Sequence, residues 1–99
     1  MTVKGLGNTI PTPQERERMM AVLEALRERL NTNAEPFAPP RYNEQDNTAE
    51  LCWGEDGKPW GRPWISAWID GLFASRRLYV WRHPSYRRSQ DDEIIARFR

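Results

Sequence analysis

Cysteine and histidine are almost missing from this chain: Cys52 is the one cysteine and His83 the one histidine among 99 residues. A lone cysteine closes no internal disulfide, which fits a reducing compartment. The pair also falls short of the three or four ligands that zinc takes, and Asp91-Asp92-Glu93 lacks the alternate spacing and the glycine of a calcium loop. None of the six glycines leads into the Gly-Lys-Ser/Thr step of a phosphate-binding loop. Long apolar runs are missing too. Runs such as Leu78 to Trp81 are far below the roughly 20 residues of a membrane-spanning helix, and Met1 to Ile10 has neither the basic region nor the apolar core of a secretory signal. The expectation is a cytoplasmic protein with no membrane partner, no cofactor and no metal.

What remains for chemistry is a nucleophilic cysteine with a histidine base, which requires Cys52 and His83 to meet across neighbouring strands. Cys52, between Leu51 and Trp53, reads more simply as a small core residue, and His83, before Pro84, as part of a turn. No other set of side chains forms a recognisable reaction centre, so the expectation is that the chain is not an enzyme.

Arginine and tryptophan, by contrast, are abundant. Thirteen of the 15 cationic side chains are arginines, and five tryptophans occupy positions 53, 60, 64, 68 and 81. The net charge of +1 conceals an asymmetry: residues 14–56 carry five arginines against ten carboxylates, and residues 76–99 carry seven arginines against three. Arginine's planar fork suits stacking and bidentate pairing. Exposed tryptophan beside arginine is the usual composition of a protein-interface hot spot.

One domain accommodates 99 residues. Thr12-Pro13-Gln14-Glu15 reads as a helix start with a hydroxyl N-cap, proline at the first helical position and a capping-box glutamate. Met19, Val22, Leu23, Leu26 and Leu30 then share one helical face, predicting a helix over residues 13–30 behind a flexible segment 1–11. Residues 31–47, with Pro36, Pro39 and Pro40, read as a long irregular loop. Within it Pro36 to Arg41 matches the proline-x-x-proline-x-arginine pattern docked by SH3 domains, a match that a loop stiffened by prolines explains as well.

A strand is predicted over 48–53, then a turn at 54–57. Over 64–73 the half-wheel segregation of Trp64, Ile65, Trp68, Ile69, Leu72 and Phe73 predicts a second helix, against the hairpin dipeptide Asp70-Gly71. Residues 77–82 read as a strand, and 93–99 as another antiparallel to it, with a short final helix capped by 89–92 as the alternative. The predicted fold is α+β: two helices packed on a small, mainly antiparallel three-stranded sheet.

These residues predict a non-enzymatic binding protein that attaches to a larger protein or nucleoprotein assembly. Its expected contact set is Trp60, Arg62, Arg76, Arg77, Tyr86, Arg87 and Arg88, with Trp60 chosen because it lies between two prolines. Phage-encoded inhibitors of host machinery, such as anti-CRISPR proteins, share this general character of small, motif-free chains. The alternative is direct DNA or RNA binding by the basic C-terminal third, where Tyr79, Trp81 and His83 interleave with arginines.

Overall fold

A computed structural model describes residues 9–32, 36–55, 58–71 and 75–99. The chain runs α1 (Pro13–Thr32), β1 (Arg41–Asn43), β2 (Thr48–Glu55), β3 (Lys58–Asp70), β4 (Arg77–Arg82), a single 3-10 turn at Pro84–Tyr86, and α2 (Ser89–Ala96). The strands form an antiparallel sheet in the order β1-β2-β3-β4, so the α+β class is as predicted with four strands in place of three.

The start of α1 forms as its residues dictate. Glu15 N–H donates to Thr12 Oγ1 at 3.1 Å and Thr12 N–H donates back to Glu15 Oε1 at 2.8 Å. Met19, Val22, Leu23 and Leu26 are fully buried, and this stripe covers Ala49 and Leu51 of β2 and Ile65, Ala67 and Ile69 of β3.

The predicted helix at 64–73 is instead part of the longest strand as far as Asp70; residues 72–74 lie outside the described residues. A four-residue repeat is a multiple of two as well as an approximation to 3.6, so it suits both periods. As strand, Ile65 and Ile69 face α1 while Trp68 faces away, and apolar residues on both sides belong to a central strand. Isoleucine and tryptophan are also better strand than helix formers. Between the pairs Leu51–Ile65 and Cys52–Pro63 the register shifts by one, so Trp64 is an extra residue that packs on the core beside its neighbour Ile65. Pro63 is accommodated at that bulge, and Gly61, with φ of 84°, supplies a backbone angle in the same irregular stretch that other residues resist.

The predicted strand at 93–99 is also corrected: residues 89–96 form α2. Arg88 N–H donates to Asp91 Oδ2 at 3.2 Å, so the acidic run starts the helix, and Asp91 and Asp92 lie at its positive end. Ile94, Ile95 and Phe98 then reach the core from one face.

The stretch 31–47 contains more order than a loop. Phe37 bridges Trp53, Ala38 N–H donates to the Cys52 carbonyl at 3.0 Å, and Gly54 N–H donates to the Pro36 carbonyl at 2.8 Å. Residues 36–38 thus run beside β2 ahead of β1, with Phe37 and Ala38 buried.

Candidate functional site

The face of the sheet turned away from α1 carries the most conspicuous surface feature. Along β4 the alternation sends Leu78 and Val80 inward and Arg77, Tyr79 and Trp81 outward. Tyr79 is 36% exposed and Trp81 40%. The Tyr79 ring stacks on its cross-strand partner Trp68, with centroids 5.9 Å apart and planes 18° from parallel. Trp81 stands opposite Ser66 and meets the His83 ring edge-on at 6.3 Å. Trp68 is itself buried, at 9% exposure, so the exposed apolar strip is Tyr79 and Trp81, held by strand backbone.

The charges on this face compensate one another. Arg41 Nε donates to Glu50 Oε1 at 3.0 Å, and Arg77 stands across from Asp70 in the ladder. Each of these two arginines thus stands opposite a carboxylate in the ladder.

The predicted contact residues do not form one cluster. Arg76 and Arg77 lie at the start of β4 and Arg87 and Arg88 follow its end, so the strand, about 17 Å long over its five steps, and the 3-10 turn lie between the two pairs along the chain. Arg77, Arg87, Arg88 and Arg62 are exposed. Trp60 lies in β3, and its side chain is outside the described residues.

Tyr86 is a correction, because it is buried as the hub of an aromatic cluster. Its ring meets Phe37, Trp53 and Trp64 edge-on at 5.3, 6.0 and 5.0 Å. Arg76 is half-exposed and engaged by its own chain. At a φ of 44° it directs a fork at the start of α1, with Nε 2.9 Å from Glu15 Oε2 and Nη2 2.7 Å from Glu15 Oε1.

That fork holds the Glu15 carboxyl well below its ordinary range, at about 2, against an opposing push from burial and with help from Thr12. A carboxyl whose folded pKa lies below its unfolded value of about 4.5 stabilises the fold fully above pH 4.5, and this contribution disappears as pH falls through about 2. Glu15→Gln will therefore flatten the loss of stability between pH 4.5 and 2, measured as the pH dependence of the urea midpoint. An acid limb as steep as that of wild type would contradict the assignment.

Cys52 and His83 do not pair. β2 and β4 flank β3, which sets them about 10 Å apart across the sheet, and His83 Nδ1 accepts from Ser85 N–H at 3.1 Å beside the Trp64 ring. Burial pushes the Cys52 thiol up, away from the thiolate that a nucleophile needs. The SH3-type motif is not presented either, since Pro36 to Ala38 is bonded along β2 and Arg41 is engaged by Glu50. Among the described residues no group of three or more histidine, cysteine or acidic side chains is placed to hold a metal, and no helix is long and apolar enough to cross a membrane.

Comparison with protein families, with curated proteins and with solved structures finds no significant match to this chain.

Tyr79 and Trp81 are absent from the predicted contact set, although both stand in the basic aromatic segment. The signal for them was the alternation within Arg77-Leu-Tyr-Val-Trp-Arg82, which puts two aromatic rings and an arginine on the side opposite Leu78 and Val80.

Proposed function

We propose that this is a non-enzymatic binding protein that docks on a larger protein or nucleoprotein assembly through the outer face of its sheet, in the manner of phage-type inhibitors such as anti-CRISPR proteins. The observation that carries the reading is the exposure of Tyr79 and Trp81 side by side on a rigid strand. Aromatic side chains fixed by stacking lose little freedom on binding, and such rings dominate interface energetics. The balanced charges around the strip favour a protein surface over a polyanion, because nucleic-acid affinity rests on an excess of unneutralised cations. Two of the arginines that made the C-terminal third look basic, Arg76 and Arg82, are also matched by carboxylates of this chain.

The test uses immobilised chain in a lysate of its native host, with and without nuclease. Wild type is expected to retain a protein partner after nuclease treatment. The Tyr79→Ala/Trp81→Ala variant, with an unchanged Tm, is expected to retain at least about tenfold less. Equal retention by the variant would remove the aromatic face from the reading, and a capture abolished by nuclease would transfer it to nucleic-acid binding through the exposed arginines.

A further inference from the structure

The two edges of the sheet differ in how they meet solvent. β1 is three residues long and follows Pro39 and Pro40, the short proline-flanked design that discourages pairing. β4 is twice as long, keeps an unbroken register against β3 from Arg77 to Arg82, and contains neither proline nor bulge.

The direction of its unpaired groups follows from one hydrogen bond. His83 N–H donates to the Trp64 carbonyl at 2.8 Å, and position 83 lies opposite 64 when the β3–β4 register is extended by one residue. In an antiparallel ladder bonded and non-bonded pairs alternate, so Arg77, Tyr79 and Trp81 direct their main-chain groups at β3. Leu78, Val80 and Arg82 direct theirs outward. Val80 faces the core yet is only partly buried, whereas Ala67 across from it is fully buried, so the edge is laterally open at Val80. Among the described residues no main-chain bond closes this edge.

The strand is also self-complementary. We propose that β4 pairs antiparallel with β4 of a second copy across a two-fold axis at Val80, joining two four-stranded sheets into one of eight. With Val80 opposite its own counterpart, Leu78 meets Arg82 of the second copy, and the outward groups form about six main-chain bonds. On the outer face Tyr79 meets Trp81 of the second copy, and the reciprocal contact repeats it. The Trp68–Tyr79 stack thereby extends across the junction, and aromatic cross-strand pairs of this kind stabilise ladders. Charge does not oppose the pairing, since Arg82 is already held by Asp91 and Asp92 of its own chain. A strand pair of this length buries less than the roughly 1,200–2,000 Å² of a standard interface, so the dimer forms reversibly with concentration.

The experiment uses purified chain alone and so stands apart from the partner reading. Sedimentation velocity from low micromolar to millimolar concentration is expected to show mass rising from the 11.7 kDa monomer toward twice that value. Val80→Pro removes an outward N–H that bonds no main-chain group among the described residues, and proline is tolerated at such edge positions. This variant is expected to stay monomeric throughout. Amide exchange on wild type gives a second readout that needs no variant: the Leu78, Val80 and Arg82 amides are expected to slow by at least about tenfold as the dimer forms, while the Tyr79 amide changes less. A wild-type mass constant at 11.7 kDa, a Val80→Pro variant that still doubles, or exchange at Val80 independent of concentration would each overturn the proposal.

Discussion

Replacing Asp91 with alanine is expected to lower folding stability by about 3–5 kcal/mol, the range for breaking a buried ion pair from one side. Asp91 is completely buried. Its carboxylate lies against the guanidinium of Arg29 from α1 and 3.5 Å from that of Arg82 from β4, and it accepts the N-terminal N–H of its own helix from Arg88. One side chain therefore ties together α1, the edge strand and α2. Removing it leaves two largely buried cations facing each other without the anion between them, and like charges at low effective dielectric repel strongly.

Asp92 is the internal control, because its contact with Arg82 at 2.8 Å is made by a carboxylate that is 68% exposed. Exposed ion pairs contribute about 0–1 kcal/mol, so Asp92→Asn should leave the urea midpoint nearly unchanged. Equal effects of the two substitutions would show that burial is not what makes Asp91 matter. A domain of 99 residues has a total of about 5–15 kcal/mol to lose, so at the lower end Asp91→Ala unfolds much of the population.

Asp91 also marks where the sequence stops being legible. The run Asp91-Asp92-Glu93 looks like a solvated patch, and composition alone offers no reason to bury its first member. The reason is tertiary: a capping role that aims the side chain into the fold, and two arginines, 62 and 9 positions earlier in the chain, that arrive there only after folding. The same limit explains the final helix. Ile94, Ala96 and Phe98 alternate well enough for a strand, and what decides for helix is the cap together with the core contact of Ile95. Helix α1 was legible almost to the residue because its signals are local, a capping box and a five-member apolar stripe. The segment 64–70 was not, because a spacing of four satisfies both periods and only the pairing with β2 and β4 selects between them.

For the candidate site, abundance of arginine and tryptophan does not tell exposed side chains from those the fold engages. Arg76 and Tyr86 are absorbed by the fold, one closing an ion pair with Glu15 and the other anchoring an aromatic cluster. Counting side chains cannot separate a stacking surface from a stacked interior. Strand alternation can, and it selects Tyr79 and Trp81.

Phe37→Ala is expected to cost about 3–5 kcal/mol, as much as deleting any large core ring, although residue 37 lies in a stretch whose sequence reads as loop. The ring is 1% exposed; it stacks on Trp53 at 5.3 Å with planes 7° apart, and meets Tyr86 edge-on at the same distance. Its backbone is fastened on both sides, the N–H to Asn31 Oδ1 at 3.3 Å and the carbonyl to Arg27 Nε at 2.9 Å. A cavity at this point loosens the seam where α1, β2 and the 3-10 turn meet, so near-UV circular dichroism from the Trp53 cluster should weaken along with the urea midpoint. Pro39, two residues on and exposed, should tolerate alanine within about 0.5 kcal/mol. That contrast separates a core residue from its loop-like surroundings, and a Phe37→Ala variant within about 1 kcal/mol of wild type would mean that residues 36–38 do not dock beside β2 as described.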